Sequence, residues 1–146
     1  DGRSVMDQFP LGCDQSCCRP NYKSGESRWE SNFCCCIPRS SMAKKMVRQD
    51  WGNWSLDAYF PMIYNGFYYE GPEWIGRSVQ ESVKTVDGRA KVYAGLMFPD
   101  IKNDFEKALD EAFDNGASGV SFFDGPSDEY LHQFKAYLDK KGLKTE

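Results

Sequence analysis

The sequence predicts an α/β domain built on a parallel sheet, and three observations carry that prediction. A unit recurs three times after residue 56, over residues 56–86, 91–115 and 119–142: a short apolar run, a Pro- or Gly-bearing break with an acidic residue, then an amphipathic stretch. Each link between apolar runs is long enough to hold the crossover helix that parallel pairing requires. Hairpin signals are missing from those links. In such folds function sits in the breaks at the strand ends.

Residues 1–40 carry all six cysteines, Cys13, Cys17, Cys18, Cys34, Cys35 and Cys36, and residues 13–38 show no apolar periodicity. We read 1–40 as an irregular Cys-rich segment ahead of β/α units over 41–146. Contiguous cysteines project in different directions and lack the spacing that brings two thiolates onto one zinc ion, and the sole histidine, His132, is far along the chain. No metal is assigned. A disulfide framework suits a small secreted domain better than a chain whose other three quarters reads as a cysteine-free α/β fold. A slip of coding frame is a third reading, because residues 29–38 read one nucleotide later back-translate to a plausible buried strand. These readings of the cysteines stay open.

The elements follow in order. Residues 41–50 form a short helix with Ser40 or Ser41 as N-cap and Met42, Met46 and Val47 on one side. Residues 51–55 read as a loop, and the Asn53-Trp54-Ser55 glycosylation triplet is the kind that arises by chance. Residues 58–65 are aromatic and apolar with little alternation, as in a strand buried on both faces, and Pro61 marks a bulge or the strand's beginning. An aromatic loop follows over 66–71. Pro72 then opens a helix with Trp74, Ile75, Val79 and Val83 on one face, stopped at Asp87-Gly88.

Residues 91–98 make the second strand of the repeat, broken by Pro99-Asp100. Residues 104–113 place Phe105, Leu109, Ala112 and Phe113 on one helical stripe, with Asn115-Gly116 as the stop. Residues 119–123 are a short strand and Asp124-Gly125-Pro126 its break. Ser127 caps a last helix whose apolar face is Tyr130, Leu131, Phe134, Tyr137 and Leu138, ended by Lys140-Lys141-Gly142.

Composition narrows the partners. The 146 residues suffice for one domain, with 40% hydrophobic residues and 15% aromatics. A net charge of −4 and a pI near 5.1 argue against nucleic acid or an anionic membrane surface, which attract clustered Lys and Arg. No apolar run approaches the roughly 20 residues of a membrane span. The opening Asp1-Gly2-Arg3 means that any signal peptide is absent or already removed.

Ligands of parallel α/β folds bind outside the carboxyl ends of the strands. The candidates there are Tyr64, Asn65, Phe67, Tyr68 and Tyr69 after the first strand, Phe98 and Asp100 after the second, and Phe123 and Asp124 after the third. Flat rings stack on the apolar faces of sugars while amides and carboxylates bind hydroxyls, so this set suits a carbohydrate. It suits a phosphate poorly, because the breaks hold neither a glycine-rich cradle nor a Lys. Tyr64 and Phe123 also read as core side chains, Asp100 as a helix N-terminal residue, and Asp124 as a turn residue that is nonetheless the best single carboxylate. No nucleophile elbow supports Ser/His/Asp hydrolysis, and no cofactor is implied.

The run Met46-Val47-Arg48-Gln49-Asp50-Trp51, then Trp54, Leu56-Asp57-Ala58 and Phe60-Pro61-Met62-Ile63-Tyr64-Asn65, resembles the late part of glycoside-hydrolase-like (β/α)8 barrels. These are uncharacterised bacterial hydrolase-like families, distantly chitinase-type. A strand reading roughly Pro-Met-x-Tyr followed by loop aromatics, and a last strand ending near a Gly-rich break, matched by residues 119–125, carry the resemblance over about residues 41–142. It implies that the three units are the sixth to eighth of a barrel, with residues near 29–38 in the fifth strand's place. It also implies an extracytoplasmic setting and a parent that binds or hydrolyses a poly- or oligosaccharide.

Two departures limit what the resemblance carries over. Chitinase-type enzymes hold their acid in an Asp-rich motif on the fourth strand, which this chain lacks, and they place Asp where this chain has Asn65. A whole barrel takes about 250 residues, so the chain reads as the C-terminal portion of one, inactive alone. Its catalytic residues are unassigned, with Asp124 the sole weak candidate, and Tyr64, Asn65, Tyr68, Phe98 and Asp124 are expected to line the sugar subsites. The competing function is a non-catalytic α/β interaction module that self-associates, because a half-barrel's exposed sheet edges favour a homodimer.

Overall fold

The computed structural model describes residues 33–143, with side chains from Cys36 onward. Four strands, β1 (Phe33–Cys36), β2 (Ala58–Pro61), β3 (Lys91–Met97) and β4 (Gly119–Phe123), form one sheet in chain order, each pair parallel. Five helices connect or follow them: α1 (Ser40–Val47), α2 (Glu73–Val86), the single turn α3 (Phe98–Ile101), α4 (Phe105–Asp114) and α5 (Asp128–Lys141). The chain is therefore α/β with a parallel sheet. Its strand order never reverses, whereas a doubly wound sheet must reverse at its switch point.

The helices lie in one layer against the face of the sheet that carries Val92, Ala94 and Leu96 of β3. Val92, Ala94 and Leu96 alternate along β3 and are all buried. Leu96 and Ala94 join Ile75 and Val79 of α2 and Leu109 and Ala112 of α4 in one core cluster. Val92 joins Tyr59, Trp51, Cys36 and Ala43 of α1 in a second. Since Tyr59 and Val92 are register partners, both clusters occupy the same side of the sheet. Each fully buried Leu, Ile or Val contributes roughly 1.5–3 kcal/mol.

Several sequence expectations shift in this frame. The stretch expected to be irregular ends in a strand: β1 forms from the residues as they stand, in the place where the barrel resemblance puts one. Cys36 is buried, whereas Cys13, Cys17 and Cys18 and the side chains of Cys34 and Cys35 lie outside what is described. Neither Ser40 nor Ser41 caps α1. Arg39 takes the cap position, and both serines enter the first turn, where Ser41 donates from N and Oγ to Glu81 Oε1 at 3.1 and 2.7 Å. The strand expected over 58–65 is shorter, because Pro61 has no N–H to give: β2 pairs with β3 at Ala58 and Tyr59, and the ladder resumes only at the Met62–Gly95 bridge. The loop expected over 51–55 opens with a 3-10 turn, Trp51–Asn53.

The later elements match more closely. Residues 119–123 are β4 as expected, and Ser127 precedes α5 in the extended backbone of an N-cap, with Gly142 closing the helix in the left-handed region. Among the described residues no helix is long and apolar enough to cross a membrane.

Candidate functional site

The second face of the sheet carries rows of side chains set by the register. Phe60 stacks on Tyr93, ring centres 4.9 Å apart and 10° from parallel, and Tyr93 in turn lies over Gly119, its register partner. A Cβ on Gly119 would sit 2.7 Å from Tyr93 Cδ1, so only glycine admits the ring there. The next row is Met62, Gly95 and Ser121. The last row, at the carboxyl edge, holds Tyr64, Met97 and Phe123: Met97 and Phe123 are register partners, and Tyr64 meets Phe123 edge-on at 5.4 Å. Phe123 stays 39% exposed. Phe60, Met62, Tyr64, Tyr93 and Met97 on this face are half-buried, whereas Val92, Ala94 and Leu96 on the helix face of β3 are buried.

The loop after β2 is braced from inside. Asn65 is buried; its backbone oxygen accepts from Tyr68 N and Glu70 N, and its Nδ2 donates to Glu70 O at 3.0 Å. Its Oδ1 has no hydrogen-bond partner among the described residues. A buried acceptor left so costs about 1–3 kcal/mol until a donor meets it. Asp100 reaches across from the neighbouring strand end, where its Oδ2 accepts from Gly66 N at 3.0 Å. A side chain on Gly66 would overlap that carboxylate. The ends of β2 and β3 are therefore tied by one charge-assisted hydrogen bond.

This braced loop presents aromatics outward. Tyr69 is 99% exposed with φ of 56°, a left-handed backbone that a bulky residue adopts at a cost. Phe67 beside it is also exposed. Asp124 likewise has φ of 57°, at the end of β4 before Gly125, and is exposed. Aspartate tolerates this region better than most side chains.

The structure divides the expected binding residues. Tyr64 sits at the carboxyl edge of the second face with Asn65 holding the adjoining loop, and Asp124 follows the end of β4, exposed. Phe98 does not join them: β3 ends at Met97, so Phe98 opens α3 and packs on Tyr130 at 4.7 Å and Phe105 at 6.2 Å, against the helix-side core. Tyr68 turns inward as well, onto Trp74 at 4.8 Å, and burial pushes its hydroxyl pKa up. Phe123 lies at the edge beside Tyr64, and Asp100 ties the β2 and β3 ends together. Strand parity was the available signal for Phe123, since it lies four residues beyond Gly119 and so on the same face. No sequence signal could have found the Asp100 to Gly66 tie, which spans two loops.

His132 is exposed on α5. Among the described residues no cluster of three or more His, Cys, Asp or Glu is arranged to hold a metal ion. No family model, curated protein or solved structure matches this chain. The functional reading therefore rests on the geometry alone.

Proposed function

We propose that this chain is the later part of a glycoside-hydrolase-like (β/α)8 barrel and that its strand-end edge binds an oligosaccharide. The observation that carries the reading is the Tyr64–Phe123 pair. Two rings meet edge-on beyond the end of β2 and at the end of β4, and the residues that follow them in the chain are Asn65, with an unmet amide acceptor, and the exposed Asp124. Ring faces take up the C–H surface of a sugar, and an oxygen acceptor meets its hydroxyls. A consecutively wound parallel sheet with helices on one face is what four successive barrel units would form.

The same geometry argues against hydrolysis by this chain alone. Glycoside hydrolysis needs two carboxyl groups flanking one bond. Asp100 is engaged with Gly66 N, where it acts as a positioning residue, leaving Asp124 as the one candidate at this edge that the structure does not tie into the loop. The chain is thus a binding segment whose catalytic pair would have to be completed from elsewhere.

Calorimetric titration of the chain with a panel of neutral oligosaccharides tests the reading. Binding of at least one glycan, weakened about tenfold or more by Phe123→Ala and by Asp124→Ala, is expected. A panel that gives no heat up to ~10 mM ligand, which excludes even Kd values near 1 mM, would count against it.

A further inference from the structure

We propose that α5 is a strap that opens as a unit while the rest of the fold stays closed, and that the Asp110 carboxylate of α4 is its latch. The helix is shallowly seated. Of its fourteen residues only Tyr137 and Leu138 are buried, whereas α2, of equal length, buries seven. A seam of ring contacts holds it: Tyr130 on Phe98 at 4.7 Å and on Phe105 at 5.6 Å, Phe134 on Phe122 at 5.2 Å, and Tyr137 on Phe113 at 6.1 Å. Tyr130, Phe134, Phe98, Phe113 and Phe122 are only half-buried. A segment with so few buried side chains opens at a lower free energy than the core it leans on. Because α5 follows β4, the last strand of the sheet, its release leaves the ladder of four strands intact.

The latch is one oxygen. Asp110 Oδ1 accepts from the Tyr137 hydroxyl at 2.9 Å and pairs with Lys141 Nζ at 2.7 Å, and the Lys141 ammonium lies 5.6 Å from the centre of the Tyr137 ring. A single α4 carboxylate thereby gathers two α5 side chains one turn apart. Tyr137 is buried, and a buried hydroxyl needs its acceptor, so loss of Asp110 is felt at α5. A second α4 ion pair, Lys107 with Glu73, runs to α2 instead. Only Asp124, Gly125 and Pro126 separate Phe123 from the Ser127 cap of α5. Opening of the strap therefore slackens the β4 end of the strand-end edge. That consequence for ligand binding rests on the proposed function, whereas the opening itself rests on the packing alone.

Amide hydrogen exchange of the full chain in low concentrations of urea tests the strap. The α5 amides are expected to exchange about 10-fold or more faster than the core amides of α2 and β3. Their rates should also depend less on urea, because the opening exposes less surface than global unfolding does. Asp110→Ala is expected to quicken α5 exchange by a further ~10-fold and to leave α2 and β3 unchanged, while Lys107→Ala leaves α5 unchanged. Exchange of α5 at the rate and urea dependence of α2 would mean that it opens only with the whole fold, and would overturn the strap. A loss of protection spread evenly over α2, β3 and α5 in Asp110→Ala, or no loss at α5, would overturn the latch. An oligosaccharide that binds at Phe123 and Asp124 should slow α5 exchange, since coupling is reciprocal. Binding without that slowing would overturn the reach of the strap to the site and leave the proposed function standing.

Discussion

Gly119→Ala is expected to destabilise the fold only while Tyr93 is present. In the native row the Tyr93 ring lies over Gly119, and an added Cβ would stand 2.7 Å from Cδ1 and 2.9 Å from Cε1. Ordinary carbon contacts are about 3.5–4 Å, so the ring must move by about 1 Å. It then leaves its stack on Phe60, worth ~0.5–1.5 kcal/mol. Holding it off its rotamer costs a further ~0.5–1.5 kcal/mol. Replacing a strand glycine by alanine returns about 0.5–1 kcal/mol through reduced chain entropy in the unfolded state. The net effect is a loss of roughly 0.5–2 kcal/mol. In a Tyr93→Ala background the clash and the stack are both gone, and the same change should stabilise by about 0.5–1 kcal/mol. Urea unfolding of the four proteins at one protomer concentration, followed by far-ultraviolet circular dichroism, measures the coupling. Equal effects of Gly119→Ala in both backgrounds, within about 0.5 kcal/mol, would refute the placement of Tyr93 over β4.

Three further outcomes follow from the same geometry. Asp100→Ala removes the acceptor of Gly66 N, so the exchange of that amide should quicken by about 5–10-fold, corresponding to ~1 kcal/mol for a partly exposed charged hydrogen bond, with core amides unchanged. Glu81 is pushed up by burial but held below its ordinary value of 4.5 by the hydrogen bonds from Arg39 and Ser41 that outweigh it. Its contribution is full above that ordinary value and fades as the pH falls through the lower folded one. Glu81→Gln should therefore give a shallower loss of stability in acid unfolding than wild type below about pH 4.5. Tyr69→Gly relieves a left-handed backbone at a fully exposed side chain and should leave stability unchanged or raise it by up to ~1 kcal/mol in thermal unfolding; a loss above 1 kcal/mol would mean that the ring is packed.

Much of the architecture was legible because it is written in local pattern. Short apolar runs with Val, Ala and Leu in β3 and Val and Phe in β4, each followed by a Pro- or Gly-bearing break, located those strands, and stripes such as Phe105, Leu109 and Ala112 located α4. β1 was hidden by composition, since a Phe-Cys-Cys-Cys run has no alternation and shows itself as a strand only through its pairing with β2. The α1 cap was misread because a distant acceptor, Glu81, satisfies the first-turn serine donors that a local cap would otherwise serve. At the strand ends, Tyr64 and Asp124 were found by position. Phe98 was assigned to the edge by position, although strand parity already groups it with Val92, Ala94 and Leu96 on the helix side. There it opens the α3 turn and packs on Phe105 and Tyr130.

In the proposed function an oligosaccharide binds at the carboxyl ends of β2, β3 and β4. A two-dimensional NMR titration of the isotopically labelled chain with the tightest-binding oligosaccharide tests it most directly. Amide shifts are expected to concentrate at residues 64–67 and 123–125, with the helix-layer residues Phe98 and Trp74 moving less. Shifts confined to the amino ends of the strands, around residues 57, 90 and 118, or to the outer faces of α2, α4 and α5, would contradict it.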